Sequence, residues 1–339
     1  MLCPGPKRSI TSLQLLTQLG LEHGLSLDHC LKGCDLTPLQ LADPLQECDS
    51  QQELRLIANL IEALPAVTDL GLQAGLRYQL TTYGIWGYAL LSSQSFRQAA
   101  ETGLRYLDLT FALTRIHLSE DPELAHLHLT DSHLPAALQS FLVQRDAAAV
   151  LVIQRELTGA AVALSQVQLR MPAPADPQPF IQAFGLLPHF ASDENRISFA
   201  RTLLDAPLPR ANPAMASLCE QQCQALLDKR RVRSGLAGQV RDRLLRTPGW
   251  LADMEQIAAE LHLSSRTLRR RLKDQGSSFR QLQEEVRQTL AEELLSGSSL
   301  TQAQIAERLG YSEVSNFLHA FRRWKGQTPQ QYRRHRSNA

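Results

Sequence analysis

The segment 305–333, near the C-terminus, has the pattern of two short helices joined by a glycine turn. Apolar residues recur at helical spacing in its first part, and Gly310 then supplies the positive φ that commonly ends a helix. The second helix, predicted from Glu313 to Arg323, carries an apolar stripe at intervals of four and three residues. These apolar positions are Ile305, Ala306 and Leu309 in the first helix, and Phe317, Phe321 and Trp324 in the second. The pattern predicts a helix-turn-helix whose stripe packs into a core and whose other face is free for a partner.

The same pattern also occurs upstream, so the upstream segment is the first copy in chain order and 305–333 is the second. Ile257, Ala258 and Leu261 occupy the places of the first apolar set, and His262 lies in the turn. The helix that follows is predicted from Ser265 to Lys273 and is rich in arginine. Its inward positions are Leu268 and Leu272, and its remaining surface carries Arg266, Arg269, Arg270, Arg271 and Lys273. Two helix-turn-helices in tandem are typical of proteins that place two helices in the major groove of DNA.

The residues between the two copies have helical periodicity and are strong helix formers. At about 1.5 Å per residue, roughly eighteen residues make a rod of about 27 Å. That length is close to the ~34 Å repeat of successive major grooves. We therefore predict an all-α domain at 229–339, with helix-turn-helices at about 254–273 and 301–323 and a connecting helix at about 279–296.

Charge is divided unevenly along the chain. The 339 residues carry a net charge of only +1. Residues 229–339, however, hold 21 Lys and Arg against 11 Asp and Glu, a net charge of +10, which leaves residues 1–228 at −9. A basic nucleic-acid-binding domain joined to an acidic sensing domain has this asymmetry.

The segment from about Leu236 to Arg334 resembles the DNA-binding domain of the AraC/XylS family of bacterial transcription regulators. In the second copy the matching positions are Ile305, Ala306, Leu309, Gly310, Tyr311, Ser315, Phe317, Ala320, Phe321, Trp324, Gly326, Pro329, Tyr332 and Arg333. In the first copy and the connecting helix they are Ile257, Ala258, Leu261, Ser264, Arg266, Leu268, Arg270, Leu272, Gly276, Phe279, Arg287, Ala291 and Leu295. The resemblance implies a transcription activator that binds double-stranded DNA and contacts RNA polymerase.

One position departs from the family pattern. His319 stands where these relatives usually carry arginine. Because histidine changes charge near neutral pH and is a poorer partner for phosphate or guanine, we expect weaker and pH-sensitive binding by the second helix.

The two recognition helices are expected to divide the DNA contacts. Arginine reads guanine bidentately, whereas valine and leucine contact only a thymine methyl group, so the first helix should carry more of the specificity. The predicted base-reading residues are Ser265, Arg266, Arg269, Arg270, Val314, Leu318 and His319. The predicted phosphate contacts are Lys273, Ser315, Asn316, Arg322 and Arg323.

Residues 1–228 contain both helical and alternating patterns of apolar residues, which predict an α+β domain. Helical periodicity marks 52–64 and 136–157, whereas alternation of apolar and polar residues predicts strands at 106–111 and 124–130. Further strands are predicted at 167–171 and 196–199.

The segment from about Leu21 to Pro213 is similar to the arabinose-binding-like sensory domain of a subset of the same family. The similarity depends on Gly71, Leu72, Gly75, Tyr83, Gly84, Gly87, Arg105, Tyr106 and the run from Leu203 to Pro209, preceded by Asn195. It implies that the domain receives a small-molecule effector and supports a homodimer. Aromatic residues are credible walls for the effector cavity, and we name Tyr83, Trp86, Tyr88 and Tyr106.

Cysteine and histidine pairs leave a metal-sensing or redox-sensing function open as an alternative. The cysteines are Cys3, Cys30, Cys34, Cys48, Cys219 and Cys223, and two pairs have a spacing of four residues. His126 and His128 are predicted on one face of a strand. Ordinary free thiols and polar histidines are the favoured interpretation, so we predict no metal and no cofactor.

Two further classes are disfavoured. Helix-turn-helices of this family also occur fused to a DNA-repair methyl-transfer enzyme, but the chain lacks its Pro-Cys-His-Arg motif, and we find no other catalytic motif. A bare architectural DNA binder would not need the large N-terminal domain. No signal peptide and no long apolar run stand out, so we expect a non-enzymatic cytoplasmic protein with no membrane association.

Overall fold

The computed structural model describes residues 7–234, 236–246, 253–274, 277–298, 300–311 and 313–337. Cys3, Gly276 and Ser312, which the sequence patterns above include or adjoin, lie outside these ranges. The chain divides into two compact units, Met1–Arg230 and Arg231–Ala339.

Helices make up most of the first unit, and the last of them continues past its end. Their bounds are Thr11–Glu22 (α1), Leu27–Leu31 (α2), Pro38–Ala42 (α3), Ser50–Ala63 (α4), Leu70–Gly75 (α5), Ile85–Leu91 (α6), Phe96–Arg105 (α7), Ala136–Thr158 (α8), Gln178–Phe184 (α9) and Pro213–Ser234 (α10). Side-chain caps start several of them: Asp49, for example, accepts hydrogen bonds from the backbone of Gln51 and Gln52 and forms a capping box with Gln52.

The strands of this unit form one four-stranded antiparallel sheet and one small pair. Their bounds are Arg8–Ser9 (β1), Glu47–Cys48 (β2), Arg115–Glu120 (β3), Leu124–Thr130 (β4), Leu164–Gln168 (β5) and Arg196–Ala200 (β6). The larger sheet has the order β3-β4-β6-β5, and β1 pairs with β2. In β4, Ala125, Leu127 and Leu129 are buried, whereas the alternate residues are more accessible. The α+β prediction for this domain is therefore confirmed.

One predicted strand is wrong. Residues 106–111 do not pair with the sheet, because Leu107–Leu109 forms a short 3₁₀ helix and the edge strand is β3 instead. The carbonyl oxygen of Phe111 accepts hydrogen bonds from the guanidinium groups of Arg8 (3.3 Å) and Arg145 (2.8 Å) rather than from a neighbouring strand. The carbonyl oxygen that would accept a hydrogen bond within a sheet is therefore bonded to two arginine side chains instead. The strand predicted at 167–171 is displaced, since β5 ends at Gln168.

Helix α8 is the central helix of the first unit. Helix α5 crosses it at two glycines, where a Cβ atom at Gly71 would lie 2.3 Å from the Phe141 carbonyl oxygen and one at Gly75 would lie 2.2 Å from that of Arg145. Among the described residues, α8 alone is long and apolar enough to cross a membrane. Most of α8 is buried, so its apolar character is accounted for by packing in this core.

The second unit is helical throughout its described residues. Its helices are Leu236–Arg246 (α11), Met254–Glu260 (α12), Ser265–Asp274 (α13), Phe279–Gly297 (α14), Gln302–Arg308 (α15), Val314–Lys325 (α16) and Pro329–Ser337 (α17). They enclose two apolar clusters, one around α12 and α13 and one around α15 and α16. Helix α14 belongs to both, because Leu282 and Val286 are buried in the first cluster and Ala291 and Leu295 in the second. The predicted all-α arrangement of two helix-turn-helices joined by a long helix is confirmed.

Candidate nucleic-acid interface and ligand cavity

The turns of the two helix-turn-helices have the same backbone geometry but different residues. Gly310 has φ +73° and His262 has φ +54°, so both are left-handed. The N–H of Tyr311 donates to the Ala306 carbonyl oxygen (2.9 Å), and the N–H of Leu263 donates to that of Ala258 (2.8 Å). This six-residue closure is the Schellman motif, which satisfies carbonyl groups at the end of a helix. Both turns therefore lead into the next helix with the same backbone geometry. In the first copy, His262 takes the left-handed conformation that glycine adopts most easily.

The first recognition helix, α13, separates an apolar side from a basic side. Leu268 and Leu272 are completely buried. At about 100° per residue, Arg266 and Arg270 lie on the opposite side of the helix, whereas Arg269 lies on a flank. The further basic residues of this helix, Arg271 and Lys273, are also exposed, and Ser265 is half-buried. The basic side can therefore face a polyanion without disturbing the core.

The second recognition helix, α16, has the same division with less charge. Phe317 and Phe321 are completely buried, and His319 lies on the opposite side, two residues after Phe317 as Arg270 lies two residues after Leu268. Val314 and Leu318 are half-buried and pack against the apolar cluster, so only part of each side chain is available to a partner. The remaining predicted contacts on this helix are exposed: Ser315, Asn316, Arg322 and Arg323.

Arg323 is held by the connecting helix. Its guanidinium group forms an ion pair with the Glu284 carboxylate, and Trp324 Nε1 donates to the same oxygen at 2.9 Å. The hydrogen bond from Trp324, together with that from Arg323, lowers the pKa of Glu284 below its ordinary value against the effect of partial burial. The predicted phosphate contact of Arg323 would therefore have to replace this ion pair.

A second acidic residue of α14 fixes the end of α16 and the start of the last helix. The Glu292 carboxylate pairs with the Lys325 ammonium group at 2.6 Å and accepts a hydrogen bond from the Tyr332 hydroxyl at 3.1 Å. Arg333 donates to the carbonyl oxygens of Leu295 and Leu300 at 3.1 and 2.8 Å. The roles of Glu284 and Glu292 were missed from sequence. Their spacing of eight residues places them on one face of α14, which is the signal that was available.

The first unit contains a cavity of about 100 Å³ beneath α8. Its lining is contributed by α6, α7, α8, the 3₁₀ helix at Leu80–Tyr83 and strands β3, β4 and β6, and most of the lining side chains are apolar. Helix α8 contributes residues at intervals of four, because one face of the helix runs along the cavity: Arg145, Ala149 and Ile153, with Asp146, Val150 and Gln154 beside them.

The four aromatic residues predicted to line an effector cavity are separated in the structure. Tyr83 and Trp86 line the cavity with ring centroids 5.0 Å apart. Tyr88 is 55% exposed and does not line it. Tyr106 is buried elsewhere, where its hydroxyl donates to Gln224 Oε1 at 3.3 Å. Trp86 and Tyr88 are two residues apart on α6, so they point in different directions. The helical period alone does not show which of the two faces the cavity.

The charged residues at the cavity wall are already paired. The Arg145 guanidinium group, 1% exposed, donates to Glu53 Oε1 (2.7 Å), Asp146 Oδ1 (2.9 Å) and the Phe111 carbonyl oxygen (2.8 Å). Asp146 Oδ2 accepts from Thr114 N (2.9 Å), Thr114 Oγ1 (2.8 Å) and Leu113 N (3.1 Å). Although burial opposes it, the carboxylates of Asp146 and Glu53 raise the pKa of Arg145, so the guanidinium group stays charged. In this network the carboxylates of Glu53 and Asp146 balance the charge of Arg145, although Glu53 Oε2 has no hydrogen-bond partner among the described residues.

Gln154, unlike the charged residues of the wall, has an unpaired side chain within the described part of the chain. It lines the cavity, is 2% exposed, and neither its Oε1 nor its Nε2 atom has a hydrogen-bond partner among the residues that the structure describes. Leaving a buried amide unsatisfied costs free energy, about 1–3 kcal/mol for each lost partner. Sequence reasoning missed this residue, because a glutamine inside an amphipathic helix has no distinctive pattern.

Comparison with known proteins gives two matches that together cover most of the chain. Residues 24–208 match the family described as the arabinose-binding domain of AraC transcription regulator, N-terminal, which is more than half of the chain. Residues 257–335 match a helix-turn-helix domain family. The chain belongs to the AraC family of transcription regulators.

Individual relatives agree with this assignment along almost the whole chain. An uncharacterized HTH-type transcriptional regulator of Mycobacterium tuberculosis, Rv1395, is 32% identical over 97% of this chain and 96% of its own length. The ornithine utilization regulator of Pseudomonas aeruginosa is 33% identical over 94% of each chain. The crystal structure of the transcriptional regulator CdpR from Pseudomonas aeruginosa is 25% identical, covers 96% of this chain and 98% of its own, and has a TM-score of 0.46. The two family matches and the two relatives show that this AraC-family protein is a DNA-binding transcription regulator with a ligand-binding domain.

The five cysteines within the described part of this AraC-family regulator lie in environments that disfavour the reactive thiolate. Cys30, Cys34, Cys48, Cys219 and Cys223 are buried free thiols. Burial raises the pKa of Cys34 and of Cys223 to about 11 and that of Cys48 to about 12, which suppresses the reactive thiolate. A redox-sensing function has no support from these five cysteines.

The strand histidines of this AraC-family regulator have protein partners. His126 Nδ1 is 2.9 Å from Ser198 Oγ and its Nε2 is 3.0 Å from Asp121 Oδ2. His128 contacts Glu194 Oε2 (3.0 Å) and Ser119 Oγ (2.8 Å). Among the described residues, no three His, Cys, Asp or Glu side chains are grouped so as to hold a metal ion.

Proposed function

We propose that this AraC-family regulator reads double-stranded DNA with α13 and α16 in successive segments of the major groove. The observation that carries the proposal is that α14 belongs to both apolar clusters and so joins the two recognition helices as one rod. Its nineteen residues correspond to about 28 Å at about 1.5 Å per residue. Two recognition helices separated by about one helical repeat of DNA, ~34 Å, can enter adjacent segments of the major groove.

Base reading is assigned mainly to α13. Arg266 and Arg270 lie opposite its buried side, Arg269 lies on a flank and Ser265 lies at its N-terminus. Arginine side chains at these positions can reach guanine O6 and N7 as bidentate donors. On α16 the corresponding surface is formed by Val314, Leu318 and His319, which offer weaker contacts to bases.

Phosphate contacts supply the salt-dependent part of the affinity. We assign them to Lys273 on α13 and to Ser315, Asn316 and Arg322 on α16, all of which are exposed. Arg323 belongs to this set as well, but its ion pair with Glu284 makes it the weakest of the basic members.

We further propose that a small-molecule effector occupies the cavity beside α8 and alters regulation. Small-molecule sites are usually concave and mainly apolar with a few polar groups, as this cavity is. The partner of the bound regulator at a promoter is RNA polymerase, as the family resemblance implies, and the protein acts in the cytoplasm, where its DNA lies.

A homodimer is proposed on the basis of α10. Met215, Leu218 and Leu226 are 43%, 52% and 42% exposed and lie along one side of this helix. Exposed apolar rows of this kind mark protein interfaces. Sedimentation velocity should show a dimer, and Leu218→Glu should shift it toward the monomer; a wild-type monomer at all concentrations rules the dimer out.

The function is tested by selecting bound sequences from random double-stranded DNA. The proposal expects a motif with two half-elements about one helical turn apart. A variant with Arg266 and Arg270 both changed to Ala should lose the half-element read by α13 and keep the other. Enrichment of no motif, or of one that is unchanged in the double variant, contradicts the proposal.

A further inference from the structure

We propose that the cavity beside α8 binds a neutral, mainly apolar small molecule through one carboxamide group, which pairs with the Gln154 side chain. The inference depends on the proposed function in taking the first unit as the effector-binding domain. It extends that function by naming the chemical class of the ligand.

Gln154 supplies the polar end of this site. Its amide offers a donor and an acceptor side by side, both buried and both without a protein partner. A primary carboxamide presents the complementary acceptor and donor in one plane, so it satisfies both atoms at once. Occupation therefore removes a cost that the empty site carries.

The rest of the wall selects an apolar body. On α8, Ala149, Val150 and Ile153 neighbour Gln154 in the lining, and Phe96 and Phe199 contribute from α7 and β6. The volume of about 100 Å³ is about two thirds of the roughly 150 Å³ of an apolar protein cavity that holds benzene, so the cavity admits only a small apolar body. A single ring or a short branched chain matches this size.

Charge balance excludes ionic ligands. Two cations, Arg8 and Arg145, and two anions, Glu53 and Asp146, form the buried ion cluster next to the cavity. All three donor groups of Arg145 are directed to protein acceptors. A carboxylate or ammonium group entering the cavity would remain unpaired in an apolar environment, which is strongly unfavourable.

The same reasoning argues against a sugar, despite the description of the matched family. Each hydroxyl of a monosaccharide needs a hydrogen-bond partner on burial. Three other polar groups of the wall are engaged: Trp86 Nε1 donates to the Gly103 carbonyl oxygen (3.2 Å), Thr110 Oγ1 to that of Leu107 (2.7 Å), and the Tyr78 hydroxyl contacts Ser12 Oγ (2.6 Å). One amide cannot satisfy four or five hydroxyls.

The test is calorimetric titration of the full-length protein with matched probes. Benzamide carries the ring and the carboxamide, benzoate replaces the amide by a charge, and toluene removes the polar group. Benzamide is expected to bind about 10-fold or more tightly than benzoate or toluene. Tighter binding of benzoate, L-arabinose or L-ornithine, or the absence of benzamide binding at millimolar concentration, overturns the inference.

A pair of variants isolates Gln154. Gln154→Leu should weaken benzamide binding about 10-fold or more, leave toluene binding equal or stronger, and raise the melting temperature of the free protein, since an unsatisfied amide is removed. Gln168→Leu is the matched control, because Gln168 Oε1 is also buried without a partner but lies on β5 outside the cavity lining. Equal loss of benzamide binding in both variants, or none in Gln154→Leu, refutes the assignment.

DNA binding is measured on the same samples. Wild-type protein that binds its selected DNA site but not benzamide rejects the ligand class and leaves the proposed function intact. Protein that binds benzamide through Gln154 but no DNA rejects the proposed function instead.

Discussion

Replacing Arg270 by Ala tests whether α13 reads bases. Leu268 and Leu272 are completely buried, so the side chain of Arg270 is directed away from the core and the substitution leaves the fold intact. Arg270 is exposed and has no ion pair with any described residue. Its truncation therefore measures what the guanidinium group does for DNA and little else.

The size of the effect follows from the kind of contact. A bidentate arginine–guanine pair contributes about 1–3 kcal/mol of discrimination, which corresponds to roughly 5- to 150-fold in Kd. Loss of a phosphate contact instead lowers affinity on every sequence and reduces the slope of log K against log salt by about 0.9. Arg270→Ala should show the first behaviour. Arg271→Ala is the matched control, because it removes the same side chain from the same helix nearer the buried side.

The assay is fluorescence anisotropy with the selected site and with a scrambled duplex, each at two salt concentrations. Arg270→Ala should weaken the selected site by at least about 5-fold more than the scrambled duplex and accept other bases at one position. Equal weakening on both duplexes, or an equal effect of Arg271→Ala, would refute the base-reading role.

Three further substitutions test other parts of the structure. His319→Arg should strengthen DNA binding in the same anisotropy assay, because arginine is the better partner for phosphate or guanine; unchanged or weaker binding contradicts the view that His319 is a weak contact. Arg145→Met should lower the free energy of unfolding by about 3–5 kcal/mol in urea titrations, because Glu53 and Asp146 lose their buried counter-charge; a loss below 1 kcal/mol would show that the cluster is dispensable. His262→Gly should raise the free energy of unfolding by up to about 1 kcal/mol, since φ +54° is strained for a residue with a Cβ atom; a decrease would mean that the imidazole makes a compensating contact.

Much of the C-terminal unit could be predicted because its determinants are local. The apolar stripes, the arginines on the opposite side and the turn glycine lie within a few residues of one another, and helical periodicity converts that spacing directly into faces. The same holds for β4 and α8 in the first unit, where the alternating or helical pattern extends over enough residues to be distinctive. The exposure of Arg266 and Arg270 and the burial of Leu268 follow from such patterns alone.

The cavity and the ion pairs between helices depend on contacts between residues that are distant in the chain. Trp86 and Tyr88 are two residues apart, yet one lines the cavity and the other is exposed, because packing of α6 decides which direction is inward. Glu284 reaches Arg323 across 39 positions of the chain.

The sequence by itself determined where the recognition helices begin, which faces they bury and which family they belong to, since these depend on spacing along one helix. Only the tertiary structure decided that Arg323 is already paired, that residues 106–111 are not a strand, and that Gln154 is enclosed without a partner. Each of these is settled by competition among groups far apart in the chain for the same hydrogen bond or the same buried space, and no local pattern records its outcome.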